Sequence, residues 1–349
     1  MQGKKRVLFI VVLFMLLMGC GSINDHQSLD SHPYEGQMQY QSGQKKLGGT
    51  SQDPVLIYTS IYPLYDFAVK IGGEQVEVKT IVPPGADAHD FEPTPNDIMA
   101  LHQADLFIYN GLGMEPWLES LLSAIDNPSL ITVNSTAHLM DHPDGSLAGS
   151  GDHQEAEHAD HHDHRDHTHP HGLDPHVWLD PLLAKEQAKS IYEALVEVDP
   201  DHADDYMSNF KALEQSFDTL HNRFDTMTRQ AERRHFVVSH QAYGYLAERY
   251  GLKQVAIAGL SPTQEPGPKR MEEIIRFVKE NDVKYILFEY NVAHNVAQVI
   301  QTETGTEVLR LSNLETLSKE EMDQGQDYFS VMERNLDVLA KALGQKENE

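Results

Sequence analysis

Cysteine and basic residues are both scarce in this sequence of 349 residues. Cys20 is the only cysteine, so the chain can form no internal disulfide and its body offers no thiolate to a metal ion. The 27 lysines and arginines are outnumbered by 54 aspartates and glutamates, which gives a formal charge of −27. This charge argues against nucleic acid as a partner, because a phosphate backbone requires a basic face. An acidic surface suits a protein that handles cations, although solubility explains it equally well.

The N-terminus has an apolar run that is too short for a membrane span. Residues 7–18 are twelve consecutive apolar residues, preceded by three basic ones. A span needs about 20 residues, whereas about twelve are typical of a signal peptide. Residues 17–20 (LMGC) resemble a bacterial lipobox, with Met where Ala or Ser is more usual. We therefore expect a signal peptide over 1–19 and lipidation of Cys20; an ordinary secretory signal is the alternative.

The rest of the chain divides by composition into a tether and two α/β lobes. Residues 20–53 are rich in Ser, Gly and Gln, which predicts a flexible tether. We predict an N-terminal lobe over 54–180, linking helices over 181–232 and a C-terminal lobe over 233–349. In both lobes short apolar strands alternate with helices, a pattern typical of parallel sheets. The predicted strands are 55–58, 76–82, 106–109 and 130–133 in the first lobe, and 236–238, 255–257, 285–288 and 308–311 in the second.

A long helix is predicted between the lobes. Seven apolar residues recur there at alternating spacings of four and three, which predicts an amphipathic helix over 201–231, about 45 Å long. We interpret the stripe as core packing. Ligands of parallel sheets bind beyond the carboxyl ends of the strands, so a site made by both lobes belongs in the cleft between them. The seven residues are Tyr206, Phe210, Leu213, Phe217, Leu220, Phe224 and Met227.

Three histidines lie in loops between the predicted strands and helices. His89 and His240 follow predicted strands, and His176 precedes a helix within residues 174–181 (DPHVWLDP). Imidazole is a preferred zinc ligand, and three of them leave a fourth place for a carboxylate or water. Each histidine alone is equally well an ordinary loop residue. Their recurrence at strand ends favours a metal site.

Five motifs carry a resemblance to the zinc-type solute-binding lipoproteins, the metal receptors of bacterial ABC importers. They are residues 83–95 (PPGADAHDFEPTP), 174–181, 239–252, 259–271 and 311–343. The resemblance implies two α/β lobes joined by a rigid helix, with Zn²⁺ bound between them as the transported ligand. It further implies an ABC permease and its ATPase as partners. We expect an exported monomer, anchored by its lipid to the outer face of the cytoplasmic membrane or in the periplasm.

The resemblance also implies the ligands of the ion. It puts them at His89, His176 and His240, with Glu315 as the carboxylate. The loop before Glu315 reads Ser-Asn where the family commonly shows Asn-Pro. Glu289 is a rival fourth ligand, for which we prefer a structural role at a strand end. Relatives that carry manganese place a carboxylate where this chain has His240, and a three-histidine set favours zinc.

A run rich in histidine occupies residues 141–172. Nine histidines are interleaved there with eight carboxylates and a single base. Imidazoles with a pKa near 6.5 are mostly neutral at pH 7 and can bind metal, and zinc-type relatives carry a similar loop. We interpret the run as a weak metal collector or a sensor of metal abundance; an acidic solvated insert is the alternative. The predicted auxiliary ligands are His153, His158, His161, His162, His164, His167, His169 and His171.

Two other functional classes use similar residues. A zinc hydrolase also needs three histidines and a water, but the sequence has no HExxH motif and no nucleophile elbow. A sphere of four protein ligands would leave no water to activate, so we expect no enzymatic activity. A surface adhesin that uses metal structurally fits the lipid anchor equally well.

Deletion of residues 152–171 separates the run from the main site. The deleted protein should keep one tight zinc ion and lose several weak ones. The reason is that ordering a flexible chain costs about 1–2 kcal/mol per residue, whereas ligands on short loops are already ordered. Calorimetric titration with zinc measures both classes of site. Loss of the tight site on deletion would contradict this division.

Overall fold

The computed structural model describes residues 53–140, 173–260, 266–289 and 294–345. The predicted signal peptide, the lipidation site Cys20, the tether up to residue 52 and the histidine-rich run lie outside the described residues. The part from residue 53 onward belongs to one compact unit, which contains two four-stranded parallel sheets.

The first sheet has the strand order β2-β1-β3-β4, and all its pairs are parallel. Its strands are β1 (Val55–Thr59), β2 (Val76–Thr80), β3 (Leu106–Tyr109) and β4 (Ile131–Asn134). Its helices are α1 (Tyr62–Gly72), α2 (Pro95–Leu101), α3 (Leu118–Ala124) and α4 (Ala137–Met140). Leu106, Phe107 and Ile108 of the central strand β3 are fully buried, as expected where both faces of a parallel sheet are covered.

Two helices link the sheets, α5 (Pro181–Val198) and α6 (Ala203–Gln230). All seven residues of the predicted stripe are buried on α6. The helix has 28 residues, which makes it about 42 Å long. It begins two residues later than predicted, because Pro200–His202 forms a short 3-10 turn after α5.

The second sheet repeats the order of the first, as β6-β5-β7-β8, again with parallel pairs. Its strands are β5 (His235–Val238), β6 (Lys253–Ala256), β7 (Tyr285–Phe288) and β8 (Glu307–Arg310). Its helices are α7 (Gly244–Arg249), α8 (Pro268–Glu280), α9 (His294–Thr304), α10 (Lys319–Asp323) and α11 (Tyr328–Ala342). The predicted fold class, two parallel-sheet lobes joined by a long helix, is confirmed.

This strand order determines where a ligand can bind. In each sheet the chain first moves to one side of the starting strand and then crosses to the other side, between β1 and β3 and between β5 and β7. Such a reversal leaves a crevice at the carboxyl ends of the two strands. Among the described residues, no helix is both long and apolar enough to span a membrane.

Aromatic packing holds α6 against its neighbours. Phe217 is fully buried, and its ring centroid lies 5.3 Å from that of Phe67 on α1 and 5.7 Å from that of Tyr328 on α11. The three rings therefore tie the linking helix to α1 and α11.

Phe217→Ala should lower the free energy of unfolding by about 3–5 kcal/mol, because it leaves a cavity among these rings. Gln215→Ala, on the exposed face of the same helix, is the matched control and should change it by less than about 0.5 kcal/mol. Urea denaturation measures both variants. Equal effects of the two substitutions would show that this cluster does not stabilise the packing of α6 against α1 and α11.

Candidate metal centre

The candidate metal centre consists of His89, His176, His240 and Glu315. The structure brings the three imidazoles together: the ring centroid of His176 lies 5.6 Å from that of His89 and 5.2 Å from that of His240. His89 follows β2, His176 precedes α5, and His240 follows β5. Both sheets and the linking segment therefore contribute one imidazole each.

His176 is held by the carboxylate of Asp174. The oxygen Oδ1 of Asp174 accepts the backbone N–H of His176 at 3.0 Å and lies 2.8 Å from its ring Nδ1. His176 is fully buried. Because the carboxylate requires a hydrogen on Nδ1, it leaves Nε2 of the neutral ring with a free lone pair.

His240 has a similar partner in Glu289, the first residue after β7. Nδ1 of His240 lies 2.6 Å from Oε1 of Glu289, a close contact without the alignment of a full hydrogen bond. The same oxygen accepts the hydroxyl of Ser239 at 2.9 Å. Glu289 thus lies behind the ring of His240, at the crevice between β5 and β7, and leaves Nε2 as the free nitrogen.

The two free nitrogens face each other. Nε2 of His176 and Nε2 of His240 are 3.4 Å apart. Two nitrogen ligands of a tetrahedral zinc ion, each about 2.0–2.1 Å from the metal, are separated by about 3.3–3.4 Å. The spacing is therefore that of two ligands on one zinc ion, and the lone pairs repel each other unless a cation or a proton lies between them.

His89 supplies the third imidazole. Burial, and then the neighbouring His176, lower the pKa of His89 to about 4, so that the ring is neutral and able to bind metal at pH 7. Its Nε2 is buried without a hydrogen-bond partner among the described residues. The loop is fixed next to it at Ala88, whose carbonyl accepts Nε1 of Trp117 at 3.2 Å.

Glu315 lies beside this loop. Its Oε1 accepts the N–H of Ala88 at 3.2 Å, and its Oε2 accepts Nδ2 of Asn313 at 3.0 Å. Burial, and then the charge of Asp87, raise the pKa of Glu315 well above its usual range, so that a cation would relieve an unfavourable charge. No three His, Cys, Asp or Glu side chains within the described ranges are already arranged to hold a metal ion. Completing the four ligands therefore requires movement of side chains.

Sequence reasoning missed two residues of this neighbourhood. Asp174 orients His176, and the only signal for it is a carboxylate two positions before a histidine. Asn313 donates to Glu315 and also to Oε2 of Glu289 at 3.2 Å. Glu289 and Asn313 line a cavity of about 430 Å³ that opens beside the centre.

Comparisons with known proteins identify the relatives of this chain. The model of a family described as zinc-uptake complex component A, periplasmic, matches residues 57–342. The high-affinity zinc uptake system protein ZnuA of Bacillus subtilis (strain 168) is 37% identical over 334 residues, which cover 96% of each chain. The zinc-binding lipoprotein AdcA of Streptococcus pneumoniae (strain ATCC BAA-255 / R6) is 34% identical over 83% of this chain, which spans 56% of AdcA.

Solved structures share the fold. The Zn(II)-bound ZnuA-like domain of Streptococcus pneumoniae AdcA matches with a TM-score of 0.68 and 32% identity, over 84% of this chain and 100% of that domain. The laminin-binding protein Lmb of Streptococcus agalactiae, described as bifunctional with adhesin and metal-transporting activity, matches with a TM-score of 0.69 and 32% identity. That match covers 83% of this chain and 100% of Lmb.

Asp174→Ala should weaken zinc binding by about 10–100-fold, because His176 loses the partner that fixes its ring and tautomer. Glu119→Ala is the control, since it also removes one negative charge but lies exposed on α3. Competition with a chelating dye of known affinity measures both. An affinity of the Asp174 variant equal to that of the control would contradict the orienting role.

Proposed function

Because this chain belongs to the family of zinc-uptake complex component A, we propose that the four residues of the candidate metal centre hold the zinc ion that it carries. The chain is an extracytoplasmic zinc-binding receptor for ABC import, and Zn²⁺ is its cargo. The proposal assigns the ligands to particular side chains of this sequence.

One observation carries the assignment: Nε2 of His176 and Nε2 of His240 face each other at 3.4 Å. Carboxylates behind imidazoles are the usual outer partners of zinc-bound histidines, and Asp174 and Glu289 occupy those positions. The unpartnered Nε2 of His89 supports it as the third ligand.

Glu315 is proposed as the fourth ligand in preference to Glu289. Oε1 of Glu289 is already engaged by His240 and Ser239, so moving it to the ion would remove the support of another ligand. The carboxylate of Glu315 is held less firmly, by two hydrogen bonds of 3.2 and 3.0 Å. Its burial favours pairing with a cation. It would exchange one of those hydrogen bonds for the metal.

The family is one of solute-binding receptors, and we propose that this chain performs no covalent chemistry. Three imidazoles and one carboxylate fill the tetrahedral sphere of zinc. A catalytic zinc ion needs an open position for a water or a substrate. The proposed ligand set favours storage and release of the ion over hydrolysis.

The cellular setting follows from the sequence features and the family. As a component of a zinc-uptake system, the receptor acts outside the cytoplasm. We propose that Cys20 carries the lipid anchor, that residues 20–53 form the tether, and that a monomer delivers zinc to an ABC permease driven by its ATPase. We keep 54–180, 181–232 and 233–349 as the proposed limits of the lobes and their linker.

A surface adhesin is the second candidate. It is favoured by the similarity to Lmb, which is described as both an adhesin and a metal transporter. Deletion of the gene separates the two roles: loss of growth only when zinc is scarce indicates the receptor, and loss of attachment to a host surface indicates the adhesin.

His176→Ala should weaken zinc binding more than any other single substitution in the centre, by more than about 100-fold, because its loop joins the first lobe to the linking helices and its ring lies next to both other imidazoles. Glu315→Ala should cost only about 10–100-fold, since water can take the fourth place. His202→Ala, at a histidine paired with Asp199 on the 3-10 turn before α6, should leave the affinity unchanged. Dye competition measures all three variants, and an unchanged affinity in the His176 variant would contradict the assignment.

A further inference from the structure

Asn313 contacts Glu315, one of the four proposed ligands, and residues that lie next to two others, His240 and His176. Its Nδ2 donates to Oε2 of Glu289 at 3.2 Å and to Oε2 of Glu315 at 3.0 Å. Its backbone carbonyl accepts the N–H of Nε1 of Trp178 at 2.7 Å, and the ring centroid of Trp178 lies 5.4 Å from that of His176. Asn313 itself is not one of the proposed ligands.

The two carboxylates that meet at Asn313 are both buried, each with only 5% of its surface exposed. Buried carboxylates need donors, and a primary amide supplies two hydrogens from one nitrogen. Each carboxylate turns Oε2 toward this nitrogen and keeps Oε1 for the site. Oε1 of Glu289 meets Nδ1 of His240, and Oε1 of Glu315 meets the N–H of Ala88 beside His89.

The backbone of the loop is shaped by the same side chain. Oδ1 of Asn313 accepts the N–H of Glu315 at 3.2 Å, and Oγ of Ser312 accepts the N–H of Leu314 at 3.2 Å. Leu314 has a φ of 58°, in the left-handed region that branched side chains rarely adopt. The hydrogen bond of Asn313 acts on Glu315 itself, whereas that of Ser312 acts on Leu314, one residue before it.

We infer that Asn313 is a positioning residue of the metal centre, whose amide locks the carboxylate behind His240 and the carboxylate of Glu315 into one unit. The inference rests on the proposed function, because it assumes that His240 and Glu315 bind the ion.

Zinc affinity of matched variants tests the inference. Asn313→Ala should bind zinc about 10–100-fold more weakly, as expected when an outer partner is lost. Ser312→Ala is the control, because it removes the hydrogen bond to Leu314 in the same loop but leaves both carboxylates with their donors; its affinity should stay within about threefold of the wild type. Thermal unfolding of the zinc-free proteins verifies that the variants are folded.

Asn313→Asp and a double variant distinguish positioning from simple charge or loop effects. Asn313→Asp keeps the Oδ1 acceptor, loses both donors and adds a negative charge, so a charge effect would strengthen cation binding whereas loss of positioning weakens it. Asn313→Ala combined with Glu315→Ala should lose less affinity than the product of the two single losses, by about tenfold, because residues that act as one unit are not additive.

The outcomes separate this inference from the function on which it rests. The inference alone is overturned by one combination of results. In it the wild type binds zinc tightly and His176→Ala abolishes that binding, but both Asn313 variants bind zinc as the wild type does. It is also overturned if Ser312→Ala loses as much affinity as Asn313→Ala, or if the losses multiply in full. A wild type that does not bind zinc overturns the proposed function and this inference together.

Discussion

The metal centre depends on the repulsion between two imidazole lone pairs. These lie on Nε2 of His176 and Nε2 of His240, which the protein holds 3.4 Å apart. The buried carboxylates of Asp174 and Glu289 lie against the outer nitrogens of His176 and His240 and favour hydrogens there, which leaves the inner nitrogens as acceptors. In water such rings would turn away or take up a proton. A rigid protein that keeps them in place makes a site whose unfavourable charge distribution is relieved by a cation.

Rigidity at this point comes from anchoring the segment 174–181 on both sides. From the first sheet, Nδ2 of Asn110 donates to the carbonyl of Pro175 at 2.9 Å. From the second, the hydroxyl of Tyr245 donates to the carbonyl of Asp174 at 2.9 Å. The segment that carries His176 therefore needs little further ordering when the ion binds, which favours tight binding. The ring of His89 and the carboxylate of Glu315 belong to other loops, so they are the parts that can adjust.

The sequence predicted the scaffold well because the scaffold is periodic. Apolar residues at spacings of four and three identified α6, and β3 and β7 have the predicted bounds. The six-residue helix α7 is too short to show a period and was not predicted. The pairing of histidines with carboxylates could be predicted only for Asp174, two residues from its partner. The contacts of Asn313 with Trp178, 135 residues away, and with two carboxylates depend on a left-handed turn that no local pattern indicates.

The coordination shell of the bound ion tests the central claim most directly. X-ray absorption spectroscopy at the zinc edge, on full-length protein loaded with one equivalent of zinc, counts the imidazoles and distinguishes them from oxygen ligands. The account predicts three imidazoles and one carboxylate oxygen, all about 2.0–2.2 Å from the metal. A shell with four or more imidazoles would place the ion in the histidine-rich run, and a shell with one imidazole or none would contradict the site altogether.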